Sequence, residues 1–310
     1  MFARRALASL GLLAYLAAIG SCQNLGTANN FNGFFFNSGA AQSGSAQGAM
    51  AFGGAWRTLG NYSFSTLSNS PSPNLGFATN LGVYTVGQFD AGASFSTFIH
   101  SGRNAYVGGQ LIGNPVMVGG GNLHWNSYEV NSIHFFNQWN YSTSQSNMLF
   151  NHGGHSIDLG NGANYQAVIT NPGGTNFFSI DGSLLAGGKT LNVVGGNGSE
   201  TLVFNVKGTT IDWGTSYSGS KTKTLWNFAN ATTLNVTGAT LTGSVLARNA
   251  DVFQSRNIEG TLISTNLFVT NGAELQSNTF NGTLAVPEPG LLLCLPGAIG
   301  LFSLRRRKRV

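Results

Sequence analysis

The sequence predicts a mainly β protein. Its body is read as a β-solenoid, wound like a β-helix, with one accompanying helix, an N-terminal signal helix and a C-terminal membrane helix. Three observations carry this. Short runs of Val, Ile, Phe and Thr are closed again and again by glycine, which makes up 44 of 310 residues; such runs have strand length and turn punctuation. Gly243-Ser244-Val245-Leu246 returns as Gly260-Thr261-Leu262-Ile263 and again as Gly282-Thr283-Leu284-Ala285, a spacing that suits stacked coils. Both chain ends carry apolar segments flanked by arginine. The alternative for the body is a β-sandwich with a turn every few residues.

Taken in order, Arg4-Arg5 and the apolar stretch Ala6 to Ile19 form the n- and h-regions of a signal peptide over residues 1–21. Ile19-Gly20-Ser21-Cys22 also fits a lipobox, in which Cys22 would be lipidated. Small residues at Ala18, Gly20 and Ser21 suit ordinary signal peptidase instead. The body spans 22–285. Its first part is rich in Gly, Ser, Asn and Phe, and Ser70-Pro71-Ser72-Pro73 makes a loop. Val83 to Val86, Ala105 to Val107 and Pro115 to Val118 then read as strands.

Ser132 to Phe150 breaks the pattern. It holds no glycine or proline, and Ile133, Phe135, Phe136, Trp139, Met148, Leu149 and Phe150 fall at roughly helical spacing. It predicts a helix ended by Gly153-Gly154, or else a strand pair with a polar turn. Strands resume at Ala167 to Thr170, Asn176 to Ile180, Leu191 to Val194 and Thr201 to Val206.

The tail, 286–310, combines Val286-Pro287-Glu288-Pro289, an apolar run from Gly290 to Leu304, and Arg305-Arg306-Arg307-Lys308-Arg309. A 15-residue helix reaches only about 22 Å, short of a hydrocarbon core of about 30 Å. Arginines after an apolar run stay on the cytoplasmic side. This tripartite tail resembles the bacterial PEP-CTERM sorting signal. That resemblance implies an exosortase-type sorting enzyme as partner, transient passage through the inner membrane, and export to the cell surface or extracellular matrix. An ordinary membrane helix with a basic flank is the alternative.

Composition excludes some functions. Removing two signal and five tail basic residues leaves 15 − 7 = 8 in the body, against nine acidic ones, so the body is near −1. It presents no basic face for nucleic acid. Cys22 and Cys294 both lie in targeting segments, so the body has no disulfide and must be held by its core and ladders.

Candidate chemistry is thin. His152-Gly153-Gly154-His155 with Asp158 has the residue types to share a metal, but the loose glycine spacing is read as a polar turn. Asp90, Glu129, Asp158, Asp181 and Asp212 are scattered singly, whereas glycoside hydrolysis needs a facing pair. No catalytic residue, metal or cofactor is expected. Trp56, Trp125, Trp139, Trp213 and Trp226 are candidates for stacking on sugars, or for the core. A regular ice-binding face would need Thr-x-Thr on successive coils. Thr232-Thr233 and Thr240-Leu241-Thr242 do not extend into such a series.

Leu225 to Leu234, Gly243 to Ala250 and Asn257 to Ile263 resemble the choice-of-anchor A domain of bacterial surface proteins, with Arg248 where that family has proline. The resemblance covers roughly 24–283. It implies a β-helix-like body with a helix and an adhesive or matrix role, with extracellular polysaccharide as a possible ligand. The expected function is therefore a structural or adhesive protein, not an enzyme; a carbohydrate-active lyase or hydrolase on a β-helix is the alternative.

Overall fold

The computed structural model describes residues 24–284, except 72, 74, 76–77, 93–95, 161 and 163. The expected signal helix, Cys22, the Val286 to Pro289 motif, the membrane segment and the basic cluster Arg305 to Arg309 lie outside the described residues. Among those described, no helix is long and apolar enough to cross a membrane. Asn24–Thr283 forms one compact unit.

Within it, strand pairs with strand in parallel, coil upon coil. The first stack runs, in spatial order, Leu123–Trp125, Asn104–Val107, Leu81–Thr85, Met50–Phe52, Gly33–Phe35, Leu262–Val269, Ser244–Gln254, Thr224–Asn227, Thr201–Lys207, Thr175–Asp181 and His155–Ser156. A second stack includes Phe89–Asp90, Trp56–Thr58, Gly39–Ala41, Thr233–Val236 and Thr210–Trp213. A third includes Thr97–Ile99, Tyr62–Phe64, Gly44–Ala46, Glu274–Gln276, Ile258–Glu259 and Leu241–Thr242. Val245 and Leu262 are parallel partners in register, so the sandwich alternative, which needs antiparallel neighbours, does not hold.

The order of the first stack is not the order of the chain. The N-terminal half winds outward from Gly33. The helix then carries the chain back, and the C-terminal half winds inward from His155 until Leu262–Ser264 lies on Gly33–Phe35. The two halves thus meet at a seam made by opposite ends of the sequence.

The repeat glycines act as stacked corners. Gly243 holds φ at +109°, and a Cβ on Gly260 would sit 2.5 Å from the Gly243 carbonyl carbon. Gly260→Ala is expected to cost about 1–3 kcal/mol through this overpacking, read as a lower denaturation midpoint. The third repeat departs from expectation. Ser277 to Thr283 forms no strand. It runs across coil edges, with Asn281 N donating to Thr222 O at 2.8 Å and Thr283 N to Thr201 Oγ1 at 2.8 Å.

Inward side chains fill the coils. Phe178, Phe204 and Trp226 stack at 5.0 and 4.3 Å on successive coils; in the other half Phe35 stacks on Phe52 of the next coil at 5.0 Å, and Trp56 of that same coil lies tilted against Phe52, also at 5.0 Å. Burying each ring stabilises by roughly 1.5–3 kcal/mol, which answers how a body without disulfides holds together. Trp56, Trp213 and Trp226 are fully buried, so they belong to the core and not to a sugar site.

The helix spans Ile133–Asn151, as its freedom from glycine and proline predicts. Asn131 Oδ1 accepts from Ile133 N at 2.9 Å at its start, and Gly153 at φ +75° follows its end. Its orientation is not the expected one. Ile133 and Phe136 are exposed, while Gln138, Ser142, Gln145 and Ser146 are buried. The reason is the sheet row beneath it, which changes from Phe34 and Ile263 to Asn227 and Asn205 along the first stack. Phe135 packs on Phe34 at 4.7 Å. Farther along, Asn227 Nδ2 donates to Ser146 O and to Asn205 Oδ1, both at 2.9 Å, and Asn205 Nδ2 donates to Leu149 O at 2.7 Å. Arg248, at the bulge where proline was expected, stacks its guanidinium 5.6 Å from the Trp139 ring. Trp139 is thereby occupied within the fold.

Candidate functional site

The helix covers the outward row of the first stack, which leaves two outward faces. Strand alternation sets what each shows, because every second side chain points away from the core.

On the second face, the outward row reads Asp212, Asn235, Phe253, Phe268, Ala40, Arg57 and Asp90 from coil to coil. The rings of Phe253 and Phe268 stack at 5.0 Å. Arg57 Nε lies 3.7 Å from Asp90 Oδ2, and Asn235 Nδ2 donates to Asp212 Oδ1 at 2.7 Å. Thr210 and Thr233 are register partners on the neighbouring row, but the next residue is Asp251. The threonine ladder is two coils deep, as the interrupted Thr-x-Thr pattern suggested.

The third face is different in kind. At one end a three-stranded sheet places Asn164 beside Thr190 and Thr190 beside Ser216, with Gln166 beside Asn192. In the longer sheet of this stack, Thr242, Glu259 and Gln276 follow in one row, and Glu274, Ser45 and Ser63 in the next. Apart from Glu259 and Glu274, these are amides and hydroxyls repeated at the strand spacing of about 4.8 Å. Both carboxylates in the rows are already bonded. Glu259 meets Lys221 Nζ at 2.7 Å and accepts from Thr242 Oγ1 at 2.8 Å. Glu274 accepts from Ser45 Oγ at 3.2 Å and Gln276 Nε2 at 3.1 Å. They hold neighbouring hydroxyls and amides in line.

The other acids have local structural partners too. Asp158 Oδ1 accepts from Gly160 N at 2.9 Å. Glu129 accepts from Ser127 Oγ at 3.0 Å and lies 3.6 Å from His124. Asp181 accepts from Ser183 N and Oγ at 2.9 and 2.8 Å, and these bonds hold its carboxyl below the usual range. Glu200 is likewise held low, first by the Asn197 N–H. A group with a depressed folded pKa contributes stability that is lost as pH falls through that value. Acidification through the lower carboxylate range should therefore loosen the 196–200 turn first, which hydrogen exchange at Asn197 and Gly198 would register.

His152 and His155 border a recess of about 370 Å³ with Thr170, Asn171, Asn176 and Phe177. They do not converge on one point. The His152 ring stacks 3.8 Å from Phe177, and His155 Nε2 shares a hydrogen bond with Thr170 Oγ1 at 3.3 Å. Among the described residues no group of three or more His, Cys, Asp or Glu is placed to hold a metal. Trp125 alone of the five tryptophans is widely exposed, at 62%.

A family model described as "Putative Ice-binding-like adhesive domain" matches residues 24–277. No curated protein sequence matches the chain. Among solved structures, an ice-binding protein from the Antarctic ascomycete Antarctomyces psychrotrophicus aligns with a TM-score of 0.41 at 14% identity, covering 83% of this chain and 98% of that one. An ice-binding protein from an Arctic yeast aligns at 0.36 and 11% identity, covering 86% and 95%.

These findings correct the resemblance drawn from the sequence. The matching model is not that of the choice-of-anchor A domain, and nothing supports the PEP-CTERM or exosortase reading. Trp226-Asn227, Val245-Leu246 and Leu262-Ile263 are register partners in adjacent coils. Their pattern reports parallel stacking, which different families share, and so could not distinguish between them. The matched family is described as an adhesive domain.

Proposed function

The chain belongs to the family of ice-binding-like adhesive domains, and from that premise we propose that it is a surface or matrix adhesive protein that binds an extended, hydroxyl-rich ligand through its third face. A polysaccharide of the extracellular matrix is the ligand class this face suits. The observation that carries the reading is the register of Asn164, Thr190 and Ser216 with Gln166 and Asn192 alongside. Amides and hydroxyls donate and accept together, so rows of them can meet sugar hydroxyls without a charged anchor. The carboxylates on this face are engaged by Lys221, Thr242, Ser45 and Gln276, which favours adhesion over acid–base chemistry. Glycan-array binding tests the proposal, with partitioning into growing ice as the parallel measurement. Retention on neutral polysaccharides is expected. The double variant Gln166→Lys, Asn192→Lys should weaken it about tenfold, equivalent to about 1.4 kcal/mol. Partitioning into ice with no retention on any glycan would overturn the polysaccharide assignment.

A further inference from the structure

The outward row of the second face has a rung missing. Phe253 and Phe268, one ring per coil, stack face to face at 5.0 Å with their planes 15° apart. The next position in the row is Ala40, and the one after it is Arg57. Phe253 covers one face of the Phe268 ring, so the other face looks over the Ala40 methyl. Among the described residues that far face carries no ring or cation. Arg57 turns the opposite way, to Asp90 at 3.7 Å. Coils repeat at about 4.8 Å, so Phe268 and Arg57 stand about 10 Å apart across Ala40. The slot has room for one ring at the 5.0 Å step of the pair already there. Its surroundings are polar and fixed. Two residues back along the same strands as the rings, Asn266 Nδ2 donates to Asp251 Oδ1 at 2.7 Å. A carboxylate accepts at both oxygens, an amide nitrogen carries two protons, and a guanidinium has five donors. Asp251, Asn266 and Arg57 therefore keep hydrogen-bonding capacity around the slot after their bonds to each other and to Asp90.

We propose that the Ala40 slot binds one pyranose ring of a neutral glycan, at a site separate from the third face. A pyranose with equatorial hydroxyls has an apolar C–H face and a polar rim. The C–H face lies on the open side of Phe268, and the rim hydroxyls donate to Asp251 and accept from Asn266 and Arg57. Other occupants match the slot less well. The strands carrying Phe268, Ala40 and Arg57 are each paired on both sides, so a peptide finds no edge to join as an added strand. A stable protein partner needs about 800 Å² on each side, whereas the apolar part of this face is two rings beside one alanine. Asp212 and Asp251, one and two coils from Phe268 along the face, repel nucleic acid and acidic glycans. Arg57 at the slot itself repels a cation. Sites of this kind, apolar with a few placed polar groups, are the usual form of a small-ligand site. The inference does not depend on the third-face reading, since it uses none of the same residues.

Isothermal titration with cellohexaose tests it, on the full chain carrying Gln166→Lys and Asn192→Lys so that the third face does not contribute. Saturable binding is expected. Adding Ala40→Phe supplies the missing rung from within. It should weaken binding about tenfold or more with no fall in melting temperature, because position 40 points outward and is only half-buried. Phe268→Leu keeps apolar bulk but removes the flat ring, and should weaken binding to a similar degree. No binding of cellohexaose overturns the inference, as does an Ala40→Phe chain that binds it as tightly as before. Binding of poly-lysine that Ala40→Phe abolishes overturns it too, since the slot would then be a cation site. The third-face reading fails by a different result, when Gln166→Lys with Asn192→Lys leaves glycan retention at the native level.

Discussion

Leu262→Asp should leave the protein unable to hold its native fold at ordinary temperature. Leu262 is fully buried and sits at the seam, with Val245 on one side and Gly33 on the other. The substitution forfeits roughly 1.5–3 kcal/mol of apolar burial. It also places a carboxylate beside Val245 in the hydrophobic core, where an unpaired charge costs several kcal/mol more. Together these approach the whole of a domain's net stability, about 5–15 kcal/mol. Thermal melting by circular dichroism should show no cooperative transition, and limited proteolysis should cut near residue 262. A variant that melts within a few degrees of the native protein would falsify the seam as the critical packing site. Thr261 is the comparator, and here the structure differs from the simple strand alternation expected. It is itself buried, and its hydroxyl donates to Phe31 O at 3.2 Å. Thr261→Val should cost about 1–3 kcal/mol for the orphaned carbonyl, clearly less than Leu262→Asp.

Asn227→Leu should uncouple the helix from the sheet. The two side chains have the same number of heavy atoms and the same branching, so the loss is chiefly one of hydrogen bonds. Asn227 donates to Ser146 O and Asn205 Oδ1 and accepts from Ser146 Oγ at 2.6 Å. These groups are buried, so the substitution leaves Asn205 Oδ1 and Ser146 Oγ without the partner that Asn227 supplied and takes the second donor from Ser146 O. Each buried orphan costs about 1–3 kcal/mol, and a shared network amplifies the loss. Destabilisation of about 3–6 kcal/mol is expected. Amide exchange along Ile133–Asn151 should accelerate before the strands exchange. Uniform acceleration across helix and strands would show that the ladder is not what docks the helix.

Much of the fold was legible because its signals are local. Glycine-closed runs located Leu81–Thr85, Thr175–Asp181 and Thr201–Lys207 to within a residue or two, and the glycine-free stretch located the helix. The repeat Gly243/Gly260 reported the parallel register directly. The rest depends on contacts between distant residues. Nothing in Gly33-Phe34-Phe35 says that its partner is Leu262, because a parallel edge accepts any neighbour of compatible pattern. The helix was read by its apolar spacing, yet its buried face is set by Asn205 and Asn227, which lie far along the chain. The Gly282 repeat has the right letters, but Thr201 and Thr222 divert its backbone across the coil edges. The third face was foreshadowed only by composition. Amide and hydroxyl content is visible in a sequence, whereas its alignment into rows needs the coil register. The histidine pair failed as a site for the converse reason: short spacing brought His152 and His155 near each other, but Phe177 and Thr170 engage them separately.

The seam also sets a timetable for the newborn chain. Gly33–Phe35 is made early, and the strand that flanks it, Leu262–Val269, is made near the end. At about 5–20 residues per second, the early strand waits on the order of ten to fifty seconds for that neighbour. Met50–Phe52 can settle on its other side meanwhile, but the seam-facing edge stays bare until synthesis of the domain is nearly complete. A truncated or stalled chain would keep that edge indefinitely and offer it to another such chain. Proteostasis, more than equilibrium stability, would then limit how much of this protein a cell accumulates, and chaperones that shield strand edges should raise its yield more than added stabilising substitutions.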